Sequence, residues 1–155
     1  MKKIDLGQTL QLLGNLGVVV GILLLVYELA QNREMTRAQT RNSVAEMLIN
    51  LVEAEYGDQG MAEIQVKHSA GQSLTPVERF RFELLEFAYW RYRENVHYQY
   101  RNGLYDEDEY LALRESWLRA LDTDEMRRAI YCGRRDIAPR VFIVEMDAVM
   151  ERPCD

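Results

Sequence analysis

Three polar residues, Arg91, Asn95 and Gln99, recur at four-residue intervals within an aromatic-rich stretch. Residues 76–102 contain no glycine and no proline after the first position, so they predict one helix, on which the three side chains lie one turn apart. A buried polar group is costly unless it is hydrogen-bonded. The three residues therefore predict either a polar network between helices or the lining of a ligand pocket. In a network between helices, we expect Arg91 to need a carboxylate from another helix.

A helical wheel places these three residues in the middle of a broad apolar face. The face consists of Val77, Phe80, Leu84, Leu85, Phe87, Ala88, Tyr92, Val96 and Tyr98. The opposite side, which we expect to face solvent, consists of Glu83, Glu86, Arg93, Glu94, His97 and Arg101.

Glu94 and His97 match the Glu-x-x-His step of di-iron helical bundles. Such a site needs this step twice and two further glutamates, but the only other histidine, His68, follows Gln65 at that spacing. The P-loop, HExxH and GxSxG motifs do not occur. Cys132 comes at the end of a predicted helix, which disfavours a nucleophilic role. We expect no metal, no cofactor and no enzymatic activity.

The composition excludes one class of partner and bears on the compartment. Residues 28–155 carry 17 basic and 24 acidic side chains, and the whole chain has a formal net charge of −6. Nucleic-acid binding requires basic side chains that neutralise phosphates, so this class is excluded. The two cysteines, Cys132 and Cys154, predict neither a disulfide framework nor a zinc site. Such cysteine usage is typical of a reducing compartment.

Residues 6–27 form a run of 22 residues without a charge. As a helix this run is about 33 Å long, enough to cross a hydrocarbon core of about 30 Å. Lys2 and Lys3 could also begin a secretory signal, but Glu28 occupies a position where a cleavage site needs a small neutral residue. The sequence therefore favours a transmembrane anchor over residues 1–30 and a soluble helical domain over residues 31–155.

The predicted span carries a row of glycines, Gly7, Gly14 and Gly21, with Gly17 completing a GVVVG step. Small residues on one face allow two helices in a membrane to approach closely. Glycine is also common in membrane spans without any such role. The row therefore leaves open self-association of the chain through this helix.

Three arginines, Arg33, Arg37 and Arg41, follow the span at four-residue intervals. This basic stripe predicts either contact with anionic lipid headgroups or salt bridges to the acidic body. Together the three outnumber the two lysines before the span. By the positive-inside rule they favour a single-pass protein of the inner membrane with its body in the cytoplasm.

Helix-start and helix-stop residues divide the rest of the chain. We expect the first helix to continue past the span to Gly57, and a short helix over Met61–Ala70. Later helices begin at Pro76, Asp106, Asp122 or Thr123, and Pro139. No sustained alternation of apolar and polar residues predicts a strand. The predicted fold is all-α, with one N-terminal transmembrane helix continuing into a small bundle of four to five helices.

Two segments, LGNLGVVVGILLLVYELAQNREMTRAQTR and RYRENVHYQYRNGLYDEDEY, resemble an uncharacterised family of bacterial membrane-anchored helical proteins. In that family a glycine-containing span ends in a Gln-Asn/Arg stretch, and a later helix carries a Glu-Asn pair, a Gln and a Gly-Leu turn with an acidic residue. The corresponding positions here are Gln31, Asn32, Arg33, Glu94, Asn95, Gln99, Gly103, Leu104 and Asp106. The resemblance covers about half of the chain. It implies a bacterial inner-membrane protein and no particular activity.

These features predict two functions. The first is a membrane-anchored interaction or scaffold module that self-associates or supports a membrane-protein complex. The second is a ligand-binding or sensory domain with a polar pocket around Arg91, Asn95 and Gln99.

Overall fold

The computed structural model describes residues 6–152 and 154, and over this range it is helical without any strand. The α-helices are α1 (Leu6–Tyr56), α2 (Gln59–Ser69), α3 (Pro76–Arg101), α4 (Glu107–Thr123), α5 (Glu125–Cys132) and α6 (Arg140–Val149), with a 3₁₀ turn at Arg135–Ile137 before α6. The predicted all-α fold, a long N-terminal helix followed by five shorter ones, is confirmed. Lys2 and Lys3 lie outside the described residues.

The helix ends follow local capping chemistry. At the start of α3 the Thr75 hydroxyl accepts a hydrogen bond from the Glu78 amide, and the Glu78 carboxylate accepts one from the Thr75 amide. Gly103, with φ +67°, follows the end of this helix. Two predicted starts are wrong by a few residues, because Asp58 caps α2 and Asp124 caps α5.

The chain divides into two compact units, Met1–Gln39 and Thr40–Asp155. The described part of the first unit is a stretch of α1 whose apolar side chains are exposed, and α1 is long and apolar enough to cross a membrane. The predicted boundary at residue 30 marks the end of the apolar span, whereas the boundary after Gln39 marks where α1 begins to pack against the rest of the second unit.

Two clusters of buried side chains form the core of the second unit. The larger one contains Val44, Trp90, Tyr92, Val96, Tyr110, Trp117, Leu118, Leu121, Tyr131, Phe142, Ile143, Met146 and Met150, and the smaller one contains Met61, Ile64, Phe82 and Leu85. Leu48 and Leu51 of α1 pack against the larger cluster beside Val44. Val44, Leu48 and Leu51 follow Arg33, Arg37 and Arg41 along α1 at intervals of three or four residues, and they form a packing face.

The predicted orientation of α3 is wrong. Its buried residues are Phe82, Leu85, Glu86, Trp90, Tyr92, Glu94, Val96 and His97, whereas Val77, Phe80, Leu84 and Tyr98 are more than half exposed. Apolar residues occupy most of the circumference of this helix, so the wheel could not tell which arc meets the neighbouring helices. The buried arc includes Glu86, Glu94 and His97 because each has a hydrogen-bonding or ionic partner.

The expectation of no disulfide is also wrong. Cys132, at the end of α5, is bonded to Cys154 near the C-terminus, with 5.6 Å between their Cα atoms. The two residues are 22 positions apart, and the intervening chain contains all of α6. The bond therefore holds the C-terminal segment against the end of α5.

Candidate functional site

A cavity of about 350 Å³ lies between the C-terminal end of α1 and helices α3, α4 and α5. Its lining includes two carboxylates, two guanidinium groups and several aromatic rings: Glu55, Glu86, Tyr89, Arg93, Trp117 and Arg127. Ligand pockets usually combine an apolar lining with a few polar groups, and their volumes begin at about 300 Å³. The polar groups of this cavity differ sharply in how they are paired.

Arg93 is the charged group of the cavity that has no partner. Its Nε atom is buried and makes no hydrogen bond. Across residues 6–152 and 154, no carboxylate oxygen lies within 4.0 Å of its guanidinium nitrogens. Burial lowers the pKa of Arg93 from its usual value, and the nearby Glu86 carboxylate partly offsets that shift. A guanidinium stays charged in proteins, so the buried Nε atom of this half-buried side chain is a charged donor without a protein acceptor.

Arg127, by contrast, forms two salt bridges, although its buried Nε atom, like that of Arg93, makes no hydrogen bond. Its Nε atom lies 2.9 Å from Glu86 Oε1 and 3.5 Å from Asp124 Oδ2. Asp124 Oδ2 in turn lies 2.6 Å from His68 Nε2. Burial alone would raise the pKa of Asp124, but hydrogen bonds from His68 and from the Arg127 amide hold it below its usual value. These four residues form a chain of ion pairs and hydrogen bonds that joins α2, α3 and α5.

Glu55 is the second incompletely paired charge. It is only 7% exposed, and Tyr89 Oη donates a hydrogen bond of 2.6 Å to its Oε2 atom. Burial, together with this carboxylate, raises the pKa of the Tyr89 hydroxyl, which stays neutral. Within the described ranges no lysine, arginine or histidine nitrogen lies within 4.0 Å of Glu55. The cavity thus contains one guanidinium without an anion and one carboxylate without a cation.

The predicted site residues of α3 form local pairs along the helix and do not line this cavity: Arg91, Glu94, Asn95 and Gln99. Arg91 is exposed and pairs with Glu94 one turn later, so the expected partner from another helix is wrong. Glu94 is buried and also accepts a hydrogen bond from the Trp90 indole. Gln99 Nε2 lies 3.4 Å from Asn95 Oδ1. These polar contacts lie within one helix, so the predicted network between helices is wrong.

His97, expected on the solvent side, is 2% exposed and belongs to a network around Glu145. Glu145 accepts hydrogen bonds from Tyr110 Oη at 2.7 Å and Arg114 Nη1 at 3.1 Å, and His97 Nε2 lies 3.0 Å from its other oxygen. Burial lowers the pKa of His97. The network joins α3, α4 and α6. No group of three or more His, Cys, Asp or Glu side chains in the described part of the chain is arranged to bind a metal ion.

The arginines after the span have different surroundings. Arg33 is exposed, and Arg37 Nη1 lies 3.5 Å from Glu34 Oε1. Arg41 Nε lies 2.8 Å from Glu109 Oε1, a salt bridge inside the second unit. Arg41 and Glu109 both line a larger apolar groove of about 510 Å³. Because the two charges of this groove neutralise each other, it has no unpaired group like Arg93.

The sequence contains a signal for Glu55 and Arg93 that the wheel did not use. Glu55 continues the stripe Val44, Leu48, Leu51 at the next turn of α1, where an apolar residue is expected. Arg93 similarly follows Phe82, Glu86 and Tyr89 on α3, at intervals of four, three and four residues. A charged residue at a core position of an amphipathic helix is expected either to have a partner or to bind something.

Comparisons of the chain with protein-family models, curated proteins and solved structures find no match. The resemblance to a bacterial membrane-anchored family therefore stays a prediction.

Proposed function

We propose that this chain is a membrane-anchored helical module that binds a small molecule in the cavity beside Arg93. The observation that supports it is the guanidinium of Arg93, a half-buried side chain whose Nε atom is buried without a hydrogen bond and which forms no salt bridge in the described part of the chain. An uncompensated charge destabilises a fold, and proteins retain such residues mainly where function needs them. This is the second of the two functions that the sequence predicts, with its pocket on the opposite side of α3 from Arg91, Asn95 and Gln99.

The anchoring part of the proposal rests on α1. Its described apolar side chains up to Leu29 are largely exposed, and exposed apolar surface of this extent needs a lipid or protein partner. We propose that α1 spans the inner membrane once. The acidic body makes nucleic acid an unsuitable partner.

The experiment is to purify the full chain from its native membranes in mild detergent and to record its mass intact. We expect a small molecule to remain bound to the wild type and to be lost from Arg93→Met, which keeps the volume of the side chain but removes its charge. The matched control is Arg101→Met, an exposed arginine at the end of the same helix. Equal retention of the molecule by all three proteins, or none in any of them, would contradict the proposal.

For the orientation of the body, we propose the oxidising side of the membrane, the periplasm in a bacterium. Disulfides form and persist in oxidising compartments and are rare in the cytosol. The disulfide between Cys132 and Cys154 supports this side. The prediction of a reducing compartment assumed that the two cysteines form no disulfide, so this bond removes its basis.

This proposal reverses the orientation that the arginine count favours. That count depends on three arginines after the span against two lysines before it. Arg41 is engaged with Glu109 inside the second unit. Without Arg41, two basic residues lie on each side of the span, and the disulfide then decides the proposed orientation.

A second proposal is self-association through the glycine face of α1. A Cβ atom added at Gly14, Gly17 or Gly21 would meet nothing within 4 Å, so this face is open to a partner helix. Replacing Gly14 and Gly21 together by leucine is expected to abolish cross-linking between monomers in membranes while insertion is unchanged. Leu13→Ala with Leu23→Ala is the control on other faces. Oligomer bands that persist in the glycine variant would refute this proposal.

A further inference from the structure

We infer that the cavity binds a zwitterion the size of an amino acid, with an oxyanion group on Arg93 and an ammonium group on Glu55. This inference rests on the proposed ligand-binding function and specifies its ligand class. It is carried by the two unpaired charges of opposite sign that line the same cavity.

The charges of the cavity favour a ligand with both signs of charge. Glu86 and Arg127 neutralise each other at 2.9 Å, which leaves Arg93 and Glu55. An anion alone would satisfy Arg93 but place a second negative charge in the cavity with Glu55, and an amine alone would leave Arg93 without an acceptor. A molecule with separated opposite charges satisfies both groups and leaves the net charge of the cavity unchanged.

The shapes of the two groups fit these roles. A guanidinium presents a planar set of donors that matches the two oxygens of a carboxylate. Glu55 offers oxygens to an ammonium group while keeping its hydrogen bond from Tyr89. Tyr89, Tyr92 and Trp117 add aromatic surface that can contact an apolar body or a cation.

The volume limits the size of the ligand. One water molecule occupies about 30 Å³ in the liquid. If each heavy atom of a ligand takes the same volume, the cavity of about 350 Å³ holds roughly a dozen heavy atoms. This is the size of one amino acid with a medium or large side chain.

The test uses the full chain in detergent after exhaustive dialysis, titrated calorimetrically with each of the twenty standard L-amino acids. At least one is expected to bind. Its analogues without the amine and without the carboxylate are then each expected to bind about 10- to 100-fold more weakly, since each lacks one charge-assisted contact.

Two variants identify the contacts. Arg93→Met is expected to weaken binding of the amino acid about 10- to 100-fold. Glu55→Gln, which keeps an acceptor for Tyr89, is expected to weaken binding of the amino acid but not of the carboxylate-only analogue. Glu53→Gln, an exposed glutamate two residues earlier, is the control and is expected to bind as the wild type does.

Two results would overturn the inference. One is that none of the twenty amino acids binds. The other is that the carboxylate-only analogue binds as tightly as the amino acid and Glu55→Gln has no effect. In either case a co-purifying molecule that Arg93→Met loses would still support the proposed function, so failure of the ligand class and failure of the function are distinguishable.

Discussion

Two arginines of one cavity are expected to respond in opposite directions to the same substitution. Arg127→Met should destabilise the second unit by about 2–4 kcal/mol, because it leaves Glu86, 5% exposed, as a buried charge without a partner. Arg93→Met should instead stabilise it by about 1–2 kcal/mol, because it removes a charge that has no partner. In thermal unfolding these changes correspond to a fall of roughly 10 °C and a rise of a few degrees.

Tryptophan fluorescence of the dialysed full chain measures this difference directly. The two tryptophans, Trp90 and Trp117, both lie in the larger core cluster, so their emission reports the unfolding of the second unit and not of α1. Arg101→Met should stay within about 0.5 kcal/mol of the wild type, as exposed substitutions usually do. If Arg93→Met lowers the melting temperature as much as Arg127→Met does, Arg93 has a structural partner, and the argument for a ligand fails.

A reporter fused after Asp155 is expected to be periplasmic, with Cys132 and Cys154 oxidised in growing cells. Trapping free thiols with an alkylating reagent before lysis should leave both cysteines unmodified. The expected effect is all-or-none, because the two compartments hold such a pair in opposite redox states. The control is a fusion before residue 6, which should report the cytoplasmic side.

Loss of the disulfide should also destabilise the second unit. Closing a loop over a separation of 22 residues restricts the unfolded chain, so Cys154→Ser is expected to cost about 3 kcal/mol. Treating the wild type with a reductant should reproduce this loss, and the reductant should not affect the variant. Cytoplasmic activity of the reporter, with both thiols alkylated in cells, would restore the orientation favoured by the arginine count.

The sequence alone determined the elements of this fold. Helix ends depend on local chemistry, such as the capping pair Thr75 and Glu78 and the glycine at 103, and these signals lie within a few residues of the ends that they define. The long N-terminal helix follows from a stretch with no proline, no glycine after Gly21 and an uncharged apolar run. Local propensity and hydropathy are sufficient for such features.

Only the tertiary structure decided which arc of α3 is buried and which residues meet. A wheel gives the angles between side chains but not the direction of the neighbouring helices, and α3 has apolar residues on nearly every side. Glu55 and Arg93 are 38 positions apart, and Cys132 pairs with a cysteine 22 positions away. These contacts exist because α1, α3, α4 and α5 pack together, and that packing is a property of the assembled core rather than of any one segment.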